Sequence, residues 1–190
     1  TIAQNLYEKS KVITYPRTDS RYISHDIFAT IPSLLDKVSN FGYAQFIASL
    51  NKQELPTRSV NDKKVTDHHA IIPTGVNPSS LGSDEKNIFD LITRRFIAAF
   101  SEECIKNVTT YLFESDMFES KGTVVVFEGW RAVESELKED KDENNQLLPA
   151  VEKDDILPIK KKEVLIKKTK APALYTEASL LKSMGTAGKL

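Results

Sequence analysis

The 190-residue sequence has few of the residues that build covalent or metal-based frameworks. Its one cysteine, Cys104, cannot form a disulfide within the chain or supply a cysteine-based zinc site, and only three histidines are present. It also lacks an excess of one charge, because 26 Lys and Arg face 27 Asp and Glu. A uniformly basic protein that coats nucleic acid is therefore excluded, whereas a locally basic groove is compatible with this balance.

Long apolar runs are absent as well. No stretch approaches the roughly 20 apolar residues that cross a bilayer, and no basic segment followed by an apolar run marks a signal peptide. The composition, 40% hydrophobic and 28% charged, is that of a folded protein. We therefore expect a soluble protein of a reducing compartment with no membrane partner. Because an initiator Met is absent, we also expect a piece of a longer protein.

Helical patterning dominates residues 1–103. Ser24 is placed to cap a helix, and Pro32 interrupts the apolar stripe of that helix, which predicts two short helices. Another short helix is expected after a break at residues 40–42. The strongest helical pattern then begins at Ser83, which we expect to be its cap.

After about residue 105 the pattern changes to strand. Residues 107–118 and 122–130 are rich in β-branched and aromatic side chains, with a turn predicted at 120–122 between them. A further strand is predicted over 163–170, and Thr176 is placed to cap a final helix. The pattern predicts an α+β chain in which an antiparallel β unit follows a helical unit.

Residues 12–24, VITYPRTDSRYIS, combine groups that can attack a phosphate. A residue before proline is pushed to extended backbone, and alternate side chains of an extended chain share a face, so Tyr15 and Arg17 are expected to point the same way. A tyrosine nucleophile must lose a proton of pKa about 10, and a nearby cation lowers that pKa and binds the phosphate. Further polar and charged side chains follow: Thr18, Asp19, Ser20 and Arg21. The alternative is a loop with a partly buried ring.

A second candidate segment is DHHAIIPTG at residues 67–75. Adjacent histidines point in different directions on a strand or a helix, so they rarely bind one metal together. Asp67 is placed to fix the tautomer of His68 or to keep its imidazolium charged. The alternative is a polar turn that leads into an apolar run.

Taken together, these segments closely resemble the active-site region of type IA DNA topoisomerases. The family's tyrosine motif is an apolar pair followed by Tyr-x-Arg-Thr/Ser-Asp, and residues 13–20 match it without a gap. The double histidine at 68–69 resembles the form of the second motif in the bacterial topoisomerase III branch. The stretch EGWRAV at 128–133 and residues 167–184 are similar to downstream markers of the family. The resemblance therefore covers nearly the whole chain.

The resemblance implies a multidomain α+β piece of a larger enzyme. Residues 1–104 would be the helical domain that carries the catalytic tyrosine. Residues 105–170 would be the antiparallel β-rich half of the arch over the DNA hole. Residues 171–190 would begin the next helical DNA-binding domain.

The same resemblance implies an ATP-independent enzyme that cleaves, passes and rejoins single-stranded DNA. Tyr15 would attack a phosphodiester and become joined to the 5′ phosphate. Arg17 would hold that phosphate and stabilise the phenolate, and His68 would hydrogen-bond the phosphate or orient its partners. Supporting or DNA-binding positions are expected at Thr18, Asp19, Ser20, Arg21, Asp67 and Lys168. For Lys168, within a basic stretch, a solvated strand edge is the alternative.

The family's Mg²⁺ is held by an upstream Toprim domain through a Glu and an Asp-x-Asp pair. Asp140-Lys141-Asp142 has that form but lies in a charged stretch, residues 134–143, with no apolar strand before it, so we predict a solvated loop there. We expect this chain to bind no metal, and to fold but not relax DNA by itself. A monomer in the bacterial cytoplasm, at the nucleoid, is expected for the whole protein.

Two other classes of function remain open on the sequence alone. One is a non-catalytic module that binds single-stranded DNA by stacking Tyr15 and Tyr22 on bases. The other is a small metal-dependent hydrolase or nuclease that uses Asp67 and His68 and does not need Tyr15.

Overall fold

The computed structural model describes residues 2–113, 118–134, 148–153 and 155–187. The chain forms two compact units, Thr1–Pro149 and Ala150–Leu190. Helices together with one antiparallel pair of strands confirm the predicted α+β class, whereas the domain boundaries stay a prediction. None of the helices in the described ranges is both long enough and apolar enough to cross a membrane.

The first unit contains most of the regular structure. Its helical elements before residue 100 are α1 (Ile2–Glu8), α2 (His25–Val38), a π-helical turn (Ser39–Tyr43), α3 (Ala44–Ile47), a 3₁₀ turn (Asp62–Lys64) and α4 (Ser83–Ala99). They are followed by strands β1 (Ile105–Leu112) and β2 (Glu119–Phe127) and by the short helix α5 (Arg131–Glu134). The second unit contains α6 (Glu177–Thr186).

Helix α2 runs unbroken through Pro32, so the prediction of two short helices is wrong. Proline removes one hydrogen bond from a helix interior, but this helix buries a continuous apolar face that offsets the loss. The buried side chains of that face are Ile31, Leu34, Leu35 and Val38. The predicted cap is confirmed, because the Ser24 hydroxyl accepts a hydrogen bond from the Ile27 amide at 3.4 Å.

The next two predicted features have different outcomes. The break at residues 40–42 is confirmed, since Gly42 adopts a φ of +99° inside the π-helical turn. The prediction that Ser83 caps α4 is wrong, because Gly82 is the cap and Ser83 is already helical. The Glu85 carboxylate accepts a hydrogen bond from the Gly82 amide at 3.1 Å, which places the helix start one residue earlier.

One hydrophobic core joins the helices and the irregular stretches of the first unit. Leu6 of α1, Leu35 of α2 and Ile97 of α4 are fully buried in it. The same core takes in Val12 and Ile13, so the chain that leads to Tyr15 starts from buried residues.

Strands β1 and β2 pair in an antiparallel register that runs from Ile105 opposite Phe127 to Leu112 opposite Glu119. The turn predicted at residues 120–122 is wrong, because those residues lie inside β2, where Gly122 pairs with Thr109. The other two residues also belong to the strand, because Ser120 pairs with Tyr111 and Lys121 pairs with Thr110 in the antiparallel ladder.

The stretch EGWRAV at 128–133, which resembles a marker of the family, follows the hairpin and packs against residues 102–103. Gly129 adopts a φ of +52°, and a Cβ atom there would lie 2.5 Å from the Glu103 carbonyl oxygen, so only glycine fits. The Trp130 amide donates to the Glu102 carbonyl at 2.9 Å. The end of the hairpin is thereby fastened to its beginning.

In the second unit the predicted cap is confirmed, because Thr176 Oγ1 accepts from the Ser179 amide at 3.2 Å and α6 follows. The strand predicted over 163–170 is wrong. Those residues form no strand, and Val164 and Ile166 are 89% and 94% exposed. A strand needs a neighbour to pair its backbone groups, and the described part of this unit offers none. Of the solvated loop predicted over 134–143, only Glu134 lies within the described residues. The prediction is wrong at Glu134, which is the last residue of α5 and is buried.

Candidate active site

The site is built where residues 12–14 pair with residues 72–74. The Thr14 amide donates to the Ile72 carbonyl at 2.9 Å, and the Thr74 amide donates to the Val12 carbonyl at 3.0 Å. Ile13 and Pro73 form the antiparallel bridge between them. This bridge holds the two candidate segments side by side.

The Thr14 side chain adds a second tie at the same place. Its hydroxyl donates to the Ala70 carbonyl at 3.4 Å and accepts from the Ile72 amide at 2.9 Å. Backbone and side chain of one residue therefore fix the position from which Tyr15 projects.

Tyr15 and His68, 53 positions apart in the sequence, meet ring to ring. Their ring centroids lie 4.2 Å apart with an angle of 40° between the planes. Tyr15 is half-buried and His68 is exposed, so the contact lies at the protein surface. A phenol and an imidazole in contact at a surface form a pair that can act on a bound group.

Residues 17–22 form a strap, and hydrogen bonds join this strap to residues 64–70. Thr18 Oγ1 donates to the His68 carbonyl at 3.1 Å, and Ser20 Oγ donates to the Lys64 carbonyl at 3.0 Å. The Ala70 amide donates to the Tyr22 carbonyl at 2.8 Å. Thr18 and Ser20, predicted as supporting positions, are therefore bonded to the backbone on which His68 is carried.

The two arginines of the strap are exposed. Within the described ranges, neither Arg17 nor Arg21 makes a side-chain hydrogen bond or an ion pair, and Arg17 makes no ring contact with Tyr15. Both guanidinium groups have all their donors open to an anion that arrives from solvent.

Three further predicted residues, Asp19, Asp67 and Lys168, are all exposed. Asp19 and Asp67 are exposed, and in the described structure neither carboxylate bonds to Arg17 or to His68. His69 points elsewhere, with its Nδ1 donating to the Ala70 carbonyl at 2.7 Å. Lys168 belongs to the second unit, where it is exposed in irregular chain.

Two residues near the site were missed from the sequence as functional candidates. The Tyr7 ring packs edge-on against the Tyr15 ring, with centroids 5.3 Å apart and planes at 81°. Lys64 Nζ lies 4.7 Å from the Tyr22 ring centroid and donates to its hydroxyl at 3.2 Å. The sequence offered one signal for Tyr7, which is an aromatic residue in a helical segment eight positions before Tyr15.

The turn that carries Lys64 is tied to the start of α2. The Asp62 carboxylate accepts from the His25 amide at 2.9 Å and lies 2.6 Å from His25 Nδ1. These hydrogen bonds, with the backbone bond as the larger cause, hold the pKa of Asp62 below its ordinary value.

For Mg²⁺, which the family resemblance implies for the whole protein, the described residues hold no cluster of three or more candidate ligands. Magnesium takes oxygen ligands, commonly one or two carboxylates with water and substrate phosphates. Among the residues that the structure describes, no three His, Cys, Asp or Glu side chains come together in a way that could hold a metal ion.

Comparison with known proteins agrees with the geometry. A family model described as DNA topoisomerase matches residues 1–188. DNA topoisomerase 3 of Bacillus subtilis is 38% identical over 193 residues, which cover 97% of this chain and 26% of that protein. DNA topoisomerase 3 of Bacillus cereus is 42% identical over 195 residues, which cover 96% of this chain and 26% of that protein. The chain thus spans about a quarter of the length of these curated relatives. With these matches over nearly its whole length, the chain belongs to the DNA topoisomerase family, in the type IA, topoisomerase III branch.

Proposed function

We propose that the whole protein is an ATP-independent topoisomerase III-like isomerase that cleaves, passes and rejoins single-stranded DNA through a 5′-phosphotyrosine at Tyr15. The observation that carries the proposal is the 4.2 Å contact between the Tyr15 and His68 rings, which joins the two motifs at one exposed point. Membership in the family and the relatives named DNA topoisomerase 3 support it.

The proposed step is a transesterification. The Tyr15 hydroxyl loses its proton and its oxygen attacks phosphorus, while the bond from phosphorus to the 3′ oxygen breaks and the departing oxygen takes up a proton. In the reverse step the 3′ hydroxyl attacks the phosphotyrosine and Tyr15 leaves. One phosphodiester replaces another, so the exchange needs no nucleotide hydrolysis.

His68 and Arg17 are proposed to stabilise the negative charge that builds up in this step. The His68 imidazole, whose ring centroid lies 4.2 Å from that of Tyr15, is placed to donate a hydrogen bond to the phenolate or to a bound phosphate. Arg17 is exposed and, in the described structure, has no internal partner, so it can bind the phosphate oxygens through paired N–H donors. Its lack of contact with Tyr15 fits a group that engages only when DNA is present.

The other predicted residues are proposed as supporting positions. Thr18 and Ser20 hold the strap by their bonds to the His68 and Lys64 carbonyls. Arg21 and Lys168 are exposed cations suited to backbone phosphates. Asp19 and Asp67 are proposed to orient neighbouring groups in the DNA complex.

The contacts argue against the two alternatives. Tyr15 already packs against His68 and Tyr7, and Tyr22 has Lys64 against its ring, so neither ring is a free stacking platform. A hydrolase in which Asp67 orients His68 is less favoured, because among the described contacts no bond joins these two side chains.

For the whole protein we propose single-stranded DNA as substrate, a monomeric state, and a place in the bacterial cytoplasm at the nucleoid. Its relatives are bacterial DNA topoisomerases, which supports a DNA substrate. We assign Mg²⁺ to carboxylates of a Toprim domain outside this chain, as the family resemblance implies.

The test uses the longer protein that contains this chain, 3′-labelled single-stranded DNA and Mg²⁺. After denaturing electrophoresis we expect label on the wild-type protein and none on Tyr15→Phe. Tyr111→Phe is the matched control, because it removes the hydroxyl of a tyrosine on β1, whose bond is to the Pro149 carbonyl, and should retain the label. The present chain alone is expected to leave supercoiled DNA unrelaxed.

Label that persists in Tyr15→Phe would assign the nucleophile to another residue. Absence of label in every protein, with DNA still bound, would support the non-catalytic binding module instead.

A further inference from the structure

The Tyr15 ring has a second aromatic neighbour whose role the proposed reaction does not explain. Tyr7 presents an edge-to-face contact at 5.3 Å and 81°, in addition to the His68 contact at 4.2 Å. Such ring pairs have preferred geometry and therefore resist rotation of either partner. Contacts with two rings therefore restrict the rotation of the Tyr15 side chain about its χ angles.

Tyr7 is itself held firmly by the end of α1. Leu6, its neighbour, is fully buried, and the Leu6 carbonyl accepts from the Val12 amide at 3.0 Å. Lys11 adopts a φ of +58°, which reverses the chain between the helix and the Tyr15 segment. The Lys11 ammonium lies 5.6 Å from the Tyr7 ring centroid. The backbone that carries Tyr7 is thus fixed, and its ring lies between the Lys11 ammonium and the Tyr15 ring.

We infer that Tyr7 is a positioning residue that clamps the Tyr15 ring against His68 in the orientation needed for in-line attack. The inference rests on the proposed function, since it takes Tyr15 as the nucleophile. The aromatic ring of Tyr7 does this and its hydroxyl is not required. A nucleophile displaced by about 1 Å can lose on the order of 100-fold in rate, so restriction of the ring acts on the chemical step and not on DNA affinity.

The experiment measures two quantities on the longer protein: the single-turnover rate of covalent adduct formation at saturating DNA, and the Kd for single-stranded DNA. For Tyr7→Leu we expect the rate to fall about tenfold while the Kd stays within about twofold. For Tyr7→Phe, which keeps the ring, both should stay within about twofold of wild type. Tyr111→Leu, which removes a ring on β1 that contacts neither Tyr15 nor His68, is the matched control.

Three results would overturn the inference. An unchanged rate in Tyr7→Leu would show that the clamp is not needed. An equal loss in Tyr7→Phe would assign the effect to the hydroxyl. A weaker Kd with an unchanged saturated rate would make Tyr7 a DNA contact.

A variant that does not fold, or a wild-type protein that forms no adduct, must be distinguished from a failure of the inference. If Tyr7→Leu does not fold, as judged by thermal melting, Tyr7→Met fills the half-buried position with a flexible apolar side chain and the same predictions hold. If the wild-type protein forms no adduct at all, the proposed function fails, and this outcome differs from an adduct that forms equally fast in every Tyr7 variant.

Discussion

The part of the chain around Tyr15 and the β1–β2 hairpin are stabilised in different ways. Residues 12–23 are bonded to residues 59–74 across some fifty positions of sequence, and they lie on buried side chains of the core. The hairpin is joined by bonds between residues close in sequence, and most of its apolar side chains are exposed, with Val108 at 65%, Phe118 at 67% and Val126 at 59%.

This difference decides where a substitution should matter. A two-stranded hairpin is at best marginally stable by itself. Most side chains of β1 and β2 are exposed, so we expect the hairpin to add little to the free energy of unfolding. The Tyr15 region draws its stability from the core and from long-range hydrogen bonds. The geometry of the site should therefore respond to the core and not to the hairpin.

The largest expected contrast compares two leucines. Leu35 on α2 is fully buried and Leu112 on β1 is 66% exposed. Leu35→Ala should lower the free energy of unfolding by about 2–5 kcal/mol because it leaves a cavity. Leu112→Ala should change it by less than about 0.5 kcal/mol. Urea unfolding followed by circular dichroism measures both, and equal losses would show that the hairpin is part of the stable core.

A second contrast compares two threonines replaced by the isosteric valine. Thr14→Val removes the hydroxyl that accepts from the Ile72 amide, and should lower the free energy of unfolding by about 1–3 kcal/mol. Thr110→Val on the exposed strand β1 should be close to neutral.

Hydrogen exchange locates the effect of the Thr14 change. The Ile72 amide should exchange faster in Thr14→Val and at the wild-type rate in Thr110→Val. Unchanged protection of that amide would mean that the backbone pairing alone holds the two segments together.

The same contrast explains which features were predictable from the sequence. The caps Ser24 and Thr176 depend on residues within three positions, and both predictions are confirmed. The effect of Pro32 depends on how much apolar surface the helix buries, which local pattern does not show. A strand over 163–170 depends on a neighbour that the described part of its unit does not provide.

The candidate site divides in the same way. Tyr15 and His68 were predicted through their motifs, and the structure brings their rings together. Thr14 and Tyr7 were missed because their contacts arise only when distant segments or a reversed chain come together. Periodicity gives no access to such contacts, since it reports which face of an element is apolar and not what that face meets.

The last and smallest expected effect is a pH dependence located in the helical part of the first unit. Tyr43 is buried, and its hydroxyl donates to the Asp90 carboxylate at 2.8 Å. Burial first, and then the bond to Asp90 and the charge of Asp90, raise the pKa of Tyr43 well above its ordinary value. The folded state thus keeps this proton at a pH where the unfolded chain loses it.

The sign follows from proton linkage. The contribution of Tyr43 is fully present below pH 10, the ordinary pKa of tyrosine, and is lost as the pH rises from there through the raised pKa of the folded state. The loss is at most about 1.4 kcal/mol per pH unit. Tyr43→Phe should reduce the slope of the unfolding free energy between pH 10 and 11.5, as measured by urea unfolding at each pH. Parallel slopes in the two proteins would mean that the folded state releases the Tyr43 proton as readily as the unfolded chain, and that the bond to Asp90 is not maintained in solution.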